Sequence, residues 1–194
     1  MLKEFEKNDL EEVIFMEKLS LVRPSKKLEP AIMEYKQEFF DHGEKRINGS
    51  CGITFFNEFD EWLETVTSIV SDKLSREGVH ASTFFTIREY DGKIVGSIQL
   101  RHSLTEELEC YGGHIGYAIR PTERKKGYGK TQLNMVLEKA KQMHIKRVMI
   151  SCDSDNEASA KTIMSCGGVQ ECETEFRGVP LHIYWIDIET ASIS

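Results

Sequence analysis

Residues 115–168 read IGYAIRPTERKKGYGKTQLNMVLEKAKQMHIKRVMISCDSDNEASAKTIMSCGG, and this stretch decides the fold. It opens with a short apolar run and passes through a basic turn that contains glycines. Apolar residues then recur at helical spacing, and a second apolar run follows at 147–152. Asn156 is placed to cap a further helix and Gly167-Gly168 to end it, because asparagine accepts from the first N–H groups of a helix and glycine tolerates the backbone conformation at its close. The stretch therefore predicts strand, helix, strand, helix.

The same kind of pattern extends on both sides of this stretch. Helical periodicity predicts one helix after Ser25 and a second one capped by Asn57. Asp91-Gly92 predicts a hairpin turn between two strands. The predicted strands are 16–23, 83–90, 93–101, about 113–120, 147–152, 169–176 and 179–188, and the predicted helices cover 28–39, 57–70, 127–144 and 156–167.

The predicted order of elements is β-α-α-β-β-β-α-β-α-β-β. This order places the chain in the α/β class, as one domain on a mixed α+β sheet. Residues 1–15 are expected to form a polar N-terminal lead-in, and residues 16–190 the single domain. No internal repeat or low-complexity linker interrupts that span.

Composition limits the classes of function. The chain has 194 residues, a formal net charge of −7, 40% hydrophobic and 29% charged residues, which is a globular balance. An acidic chain argues against a nucleic-acid partner, since phosphate backbones require a basic face. The N-terminus lacks the apolar core of a signal peptide, and no apolar run is long enough for a membrane span.

The five cysteines indicate the compartment. Their number is odd and their spacing matches neither a disulfide framework nor a zinc site, so we expect reduced thiols, no metal and a cytoplasmic protein without a membrane partner. Cys152 and Cys166 are expected to be small buried hydrophobes rather than nucleophiles. The oligomeric state stays open at this point, a homodimer being one alternative.

The basic glycine turn is the most informative motif. Arg124, Lys125, Lys126 and Lys130 place four cations within seven residues, around Gly127, Tyr128 and Gly129. The start of the following helix exposes unpaired N–H groups, and glycine lets an anion approach them closely. A solvated basic turn is the plainer alternative. A P-loop would need glycine at Arg124, and a dinucleotide fingerprint would need glycine at Gln132, so the turn predicts a diphosphate-like ligand of neither class.

Two motifs at matching spacing resemble the GNAT acetyltransferase superfamily. Arg124-x-x-Gly127-x-Gly129 resembles its pyrophosphate loop, and Asn156-x-x-Ser159 followed by Gly167 resembles the second half of its cofactor site. The runs 111–117 and 156–161 are similar to a bacterial branch of predicted acetyltransferases. The resemblance implies one GNAT-like domain that moves an acetyl group from acetyl-CoA directly onto an amine-bearing acceptor, a small molecule or a peptide. A non-catalytic acyl-CoA-binding sensor is the alternative, and a P-loop nucleotide-binding protein is disfavoured.

The resemblance also implies which residues bind the cofactor. Backbone N–H groups of the turn would hold the pyrophosphate, and the strand before the turn would run beside the pantetheine and polarise the thioester. Asn156 would contact the pantetheine or adenosine side. The cofactor-binding set is Tyr117, Ala118, Ile119, Arg124, Lys125, Lys126, Gly127, Tyr128, Gly129, Lys130, Asn156 and Ser159.

The catalytic candidates are Tyr111, His114 and Ser159. Tyr111 and Ser159 carry hydroxyls that could protonate the leaving thiolate, and histidine titrates near neutral pH. Two family positions depart from the pattern: Ile163 stands where many relatives have an acidic tyrosine, and Ser151 where some have a glutamate base. The loop between the first two helices is expected to admit the acceptor. Acidic residues near that cleft would favour a cationic amine, and the candidates are Glu106, Glu107 and Glu109.

Overall fold

A computed structural model describes residues 18–188, which form seven strands and four α-helices. The predicted lead-in 1–15, the first residues of the predicted first strand and the last residues of the predicted domain lie outside this range. The order of elements is as predicted. In chain order the elements are β1 (Leu19–Val22), α1 (Glu29–Asp41), α2 (Phe59–Ser68), β2 (Ala81–Arg88), β3 (Lys93–Arg101), β4 (Ile115–Ile119), α3 (Tyr128–Gln142), β5 (Arg147–Asp153), α4 (Glu157–Ser165), β6 (Val169–Phe176) and β7 (Val179–Asp187).

The strands form two antiparallel sheets, ordered β1-β2-β3-β4 and β5-β7-β6. The two sheets approach each other where β4 begins. There the His114 N–H donates to the Met149 carbonyl of β5 at 2.7 Å. Within the described residues, β4 pairs as a strand with β3 and not with β5. The two strands therefore separate beyond this point and leave a gap between them. The mixed sheet expected from the sequence thus takes the form of two sheets joined at one end.

Helices cover both faces of the first sheet. Phe84 and Phe85, neighbours on β2, point to opposite faces because side chains alternate along a strand. Phe84 packs into the core under α3 and α4, whereas Phe85 packs with Tyr35 and Trp62 in an aromatic core under α1 and α2. Burial on both faces explains why β2 and β3 lack a clear polar face.

Element starts differ from the sequence prediction at several points. Ser25 precedes a 3₁₀ turn, and α1 begins only at Glu29. A proline occupies the first turn of α1, where it is tolerated because its missing N–H would have no partner in the helix. The N-cap of α2 is Glu58 rather than Asn57. Asn156 does cap α4, as predicted: its Oδ1 accepts from the Ser159 N–H at 3.0 Å.

Two further segments differ from the prediction. The β2–β3 turn takes four residues, 89–92, rather than two, because Asp91 turns back to pair with Arg88 and to accept from the Lys93 N–H. A single π-helical turn, Leu108–Gly112, lies before β4, in a segment where the sequence predicts neither a helix nor a strand. Such a turn has no periodicity of its own, so the hydrophobic pattern could not reveal it.

A buried carboxylate fixes the turn between β4 and α3. Glu123, whose side chain is 4% exposed, accepts from Arg88 at 2.8 Å, from Lys93 at 2.9 Å and from Lys126 at 2.7 Å. Arg88 also donates to the Tyr128 hydroxyl at the start of α3. These cations hold the pKa of Glu123 at about 2, although burial alone would raise it. The β2–β3 hairpin is thereby tied to the basic turn.

The opposite side of the same turn is tied to α1. Arg120 is almost fully buried and pairs with Glu38 at 2.6 Å and with Glu34 at 2.7 Å. Glu38 in turn accepts from both the N–H and the hydroxyl of Thr122. Ion pairs and hydrogen bonds from two directions therefore set the position of residues 120–126.

We predict that Glu123→Gln lowers the free energy of unfolding at pH 7 by about 3 kcal/mol, because it removes a charge that three buried or half-buried cations need. In the parent, this carboxylate contributes stability above its ordinary pKa of 4.5, and the contribution is lost as the pH falls towards 2. Urea unfolding between pH 7 and pH 3 should therefore show a smaller loss of stability for the variant than for the parent.

The matched control is Glu157→Gln, which makes the same change in a fully exposed pair with Lys161. It should leave stability nearly unchanged. Equal stability of Glu123→Gln and the parent at pH 7 would show that the carboxylate does not hold the turn.

Candidate functional site

The start of α3 has no side-chain cap. Gly127 is the N-cap residue, with φ of 84°, and has no side chain that could accept from the first turn. Lys125 also has a positive φ, 65°, so the chain turns sharply just before the helix. The N–H groups of Gly129 and Lys130 have no carbonyl one turn earlier in the helix. Together with the helix dipole, they form a suitable place for a phosphate.

The four cations of the turn divide into two pairs. Arg124 forms a two-pronged ion pair with Glu44, at 2.7 and 2.8 Å, and Lys126 pairs with Glu123. Lys125 and Lys130 are exposed, and neither forms an ion pair within residues 18–188. The sequence treats these cations as equivalent, whereas the structure assigns two to holding the turn and leaves two for an incoming anion.

The gap between β4 and β5 adjoins this helix start. Arg120 N–H donates to the Val95 carbonyl of β3, and antiparallel pairing alternates, so the N–H groups of Tyr117 and Ile119 face away from β3 and towards the gap. The Ala118 side chain packs instead towards α1 and α2, on the other face of the sheet. Two N–H donors on the edge of a strand can polarise a carbonyl placed in the gap.

A pair of hydroxyls lies across the gap. The Tyr117 hydroxyl of β4 lies 3.0 Å from Ser159 Oγ, in the first turn of α4, where Asn156 fixes the Ser159 backbone. Burial raises the pKa of Tyr117 to about 12, so its proton stays on oxygen at neutral pH. The nearby Cys152 thiol also has a raised pKa because it is buried, which makes it a poor nucleophile.

The other two catalytic candidates lie differently. Tyr111 stacks on Phe176 with ring centroids 3.7 Å apart, and its hydroxyl donates to Glu107 at 2.7 Å. That hydrogen bond raises the pKa of Tyr111. No contact joins it to Ser159 or Tyr117 within the described chain, so the structure does not bring together the two predicted catalytic hydroxyls, those of Tyr111 and Ser159.

His114 is buried, and its Nδ1 accepts from the Met149 N–H at 3.1 Å. Burial, assisted by Arg101, lowers its pKa to about 4, so the ring is neutral at pH 7. With Nδ1 accepting, the ring proton lies on Nε2, and neither nitrogen is free to take a proton. The geometry gives His114 the task of joining β4 to β5, where the gap begins.

Ile163, at the position of the family's tyrosine, is fully buried in the core below α4. Ser151, at the position of the family's glutamate, donates to the Tyr111 carbonyl at 2.5 Å. The Tyr128 side chain is buried beside Arg88, so only its backbone can serve a ligand. At Ile163 and Ser151, where the chain departs from the family pattern, the side chains therefore serve packing and hydrogen bonding within the fold.

Sequence reasoning missed the partners of the turn. Glu44, Glu34 and Glu38 come from α1 and the residues after it, about eighty positions before the cations that they bind. Charges are common in both regions, so no local signal pairs them. Among residues 18–188, no group of three or more His, Cys, Asp or Glu side chains could hold a metal ion, and no helix is both long and apolar enough to cross a bilayer.

The two-sheet fold, the phosphate-type helix start and the gap between β4 and β5 define a class of acyl-CoA-dependent transferases. The family described as the acetyltransferase (GNAT) domain matches residues 2–169, and the chain belongs to this family. Its members use acetyl-CoA as cosubstrate. The residues present fit this ligand: the start of α3 has no side-chain cap, two lysines there form no ion pair within residues 18–188, and β4 carries N–H donors beside it.

Solved structures share the fold. MccE, the microcin C7 self-immunity acetyltransferase in complex with acetyl-CoA and AMP, has a TM-score of 0.61 and 19% identity, over 88% of this chain and 92% of that chain. A ribosomal-protein-S5-alanine acetyltransferase from Vibrio fischeri has a TM-score of 0.65 and 18% identity, over 90% of this chain and 94% of that chain. The spermidine/spermine N-acetyltransferase SpeG from Vibrio cholerae has a TM-score of 0.59 and 14% identity, over 89% of this chain and 96% of that chain. No curated protein matches the chain.

We predict that Gly129→Val weakens CoA binding at least about 10-fold, because a branched side chain would stand in front of the N–H groups at the helix start. Isothermal titration calorimetry measures the change, and an unchanged far-UV spectrum shows that the fold persists. A Cβ at this position would also lie 3.4 Å from Thr162 Cγ2 of α4. The double variant Gly129→Val/Thr162→Ala relieves that contact, and recovery of CoA binding in it would contradict the proposed obstruction of the N–H groups.

Proposed function

We propose that this protein is an N-acetyltransferase that transfers the acetyl group of acetyl-CoA directly to an amine. The observation that carries the proposal is the gap between β4 and β5, bordered by the uncapped start of α3 on one side and by the Tyr117–Ser159 pair on the other. Acetyl-CoA supplies an activated acyl carbon with a thiolate leaving group. The remaining tasks belong to this chain.

The backbone carries out binding and polarisation. N–H groups of Gly129 and Lys130, with the side chains of Lys125 and Lys130, would hold the pyrophosphate. The N–H groups of Tyr117 and Ile119 would donate to the thioester oxygen and stabilise the negative charge that develops there. Preorganised donors of this kind cost no reorganisation during the reaction, since the turn and β4 are already fixed by Arg120, Glu123 and their partners.

Ser159 is the group best placed to return a proton to the leaving thiolate. Its hydroxyl is hydrogen-bonded to the Tyr117 hydroxyl, which can replace the lost proton in turn. A thiol has an ordinary pKa near 8.5, so it needs only modest assistance to leave. The acceptor amine gives its proton to water as the new N–C bond forms and the C–S bond breaks.

Compartment and assembly are part of the same proposal. All five cysteines are free, which suits the reducing cytoplasm. Structural relatives act on acceptors as different as a ribosomal-protein alanine and spermidine, by their printed names. Because these relatives differ so much in acceptor, the acceptor of this chain has to be inferred from its own residues. A homodimer is compatible with the proposal.

We predict that the protein releases CoA thiol from acetyl-CoA in the presence of a small-amine panel, because the proposal gives it both a binding site for the acetyl donor and a proton donor for the thiolate. The measurement is thiol release, combined with calorimetric binding of CoA. CoA binding without transfer to any amine would favour the acyl-CoA sensor, whereas no CoA binding at all would overturn the proposal.

Three variants test the proton donor in the same assay. Ser159→Ala should lower kcat about 10-fold with little change in KM for acetyl-CoA, and Tyr117→Phe should lower it by a smaller factor. Tyr111→Phe is the matched control, because its hydroxyl is engaged with Glu107 outside the gap. If Tyr111→Phe lowers kcat as much as Ser159→Ala does, the assignment of Ser159 is wrong.

A further inference from the structure

A basic cavity lies on the α1–α2 side of the first sheet. Its volume is about 230 Å³, and it is enclosed by the loop after α1, the end of α2, the segment that leads into β2, and β3. Three arginines line it, Arg46, Arg76 and Arg101, and Glu77 is the one acidic lining residue. A local excess of positive charge in a chain of net charge −7 is unexpected for a merely solvated surface.

Two unsatisfied polar atoms belong to this cavity. Within residues 18–188, Ser75 Oγ and Arg101 Nε are the buried side-chain nitrogen and oxygen atoms that lack a hydrogen-bond partner. Both residues line the cavity. Buried polar groups are nearly always paired, because each unpaired one costs free energy. Both orphaned groups are hydrogen-bond donors, so an oxygen atom that came within hydrogen-bonding distance of them would satisfy them.

The guanidinium of Arg101 is oriented for such a ligand. Its Nη1 donates to the Gly113 carbonyl at 3.0 Å, which fixes the plane of the group. The edge formed by Nε and Nη2 has only Glu77, whose carboxylate lies 3.7 Å from Nη2 and is 40% exposed. A carboxylate or phosphate binds such an edge with two parallel hydrogen bonds. Glu77 therefore lies beside the place that an incoming anion would take, without forming the two hydrogen bonds.

The cavity lies next to the reacting strand. Gly49, on its wall, crosses β4 so closely that a Cβ there would collide with the Gly116 carbonyl. Gln99, also on its wall, stands opposite Gly116 in the β3–β4 register. Gly116 immediately precedes Tyr117, whose N–H faces the gap. A molecule with one end in the cavity can thus place its other end at the proposed thioester position.

We infer that the cavity is the acceptor subsite, and that the acceptor is a small amine that also carries a carboxylate or a phosphate. The anionic end binds Arg101, with Arg46 and Arg76 adding charge, and the amine reaches β4. This inference rests on the proposed acetyltransferase function. The acetyl carbon exchanges its C–S bond for a C–N bond, the amine proton goes to water, and the thiolate takes a proton from Ser159. Glu106, Glu107 and Glu109, which the sequence suggested would favour a cationic acceptor, do not line the cavity.

Four short amines that differ only in their second group test the inference. They are ethanolamine, β-alanine, 2-aminoethyl phosphate and 1,3-diaminopropane, assayed by thiol release. We expect kcat/KM for β-alanine or 2-aminoethyl phosphate to exceed that for the other two at least about 10-fold. The faster of these two substrates shows whether the cavity prefers a carboxylate or a phosphate. Fastest transfer to the diamine, or transfer to none of the four, would overturn the inference.

Variants separate this result from the proposed function. Arg46→Ala/Arg76→Ala changes two exposed side chains and should raise KM for the anionic amine about 10-fold, whereas Glu77→Gln should lower it. Lys141→Ala/Lys146→Ala, an equal charge change on an exposed surface elsewhere, should leave it unchanged. If CoA still binds and the diamine is acetylated while the arginine variant has no effect, the inference fails and the acetyltransferase function stands. Loss of CoA binding in the parent would remove both.

Discussion

The separation of β4 from β5 is the constraint on which the rest of the site depends. The strands meet at Gly113 and His114, where a side chain on Gly113 would collide with the Met149 carbonyl and where His114 exchanges hydrogen bonds with Met149. Beyond that point, β4 keeps β3 as its strand partner among the described residues, and its other edge forms no strand pairing. A strand edge inside a domain normally has to be paired or covered. Here the N–H groups on that edge are the donors that we propose bind the thioester carbonyl.

Such a gap is useful only if its borders are rigid, and charge provides the rigidity. Glu123 draws Arg88, Lys93 and Lys126 together below the turn, while Arg120 draws two carboxylates of α1 from the other side. Each buried charge is costly alone, and each is offset by partners at hydrogen-bonding distance. Two of the basic residues that a sequence reader assigns to phosphate binding are thereby used for structure. The fold, rather than the local sequence, therefore decides which of these cations form ion pairs.

Local patterns were sufficient for much of this architecture. Amphipathic spacing located α3, Asn156 and the glycines after it bounded α4, and the glycine turn marked the start of α3. The pairs Arg124–Glu44 and Tyr117–Ser159 could not be found in the same way, because their members are 80 and 42 residues apart and belong to common residue types. The basic cavity has the same origin, since Arg46, Arg76 and Arg101 come from three separate segments. Tertiary geometry alone brings them to one place.

A crystal structure with CoA bound tests the central claim most directly. The account predicts the pyrophosphate at the N–H groups of Gly129 and Lys130, the pantetheine between β4 and β5, and the sulfur within about 4 Å of Ser159 Oγ, as proton transfer requires. Pyrophosphate elsewhere on the surface, or a sulfur on the far side of β4 from Ser159, would contradict it.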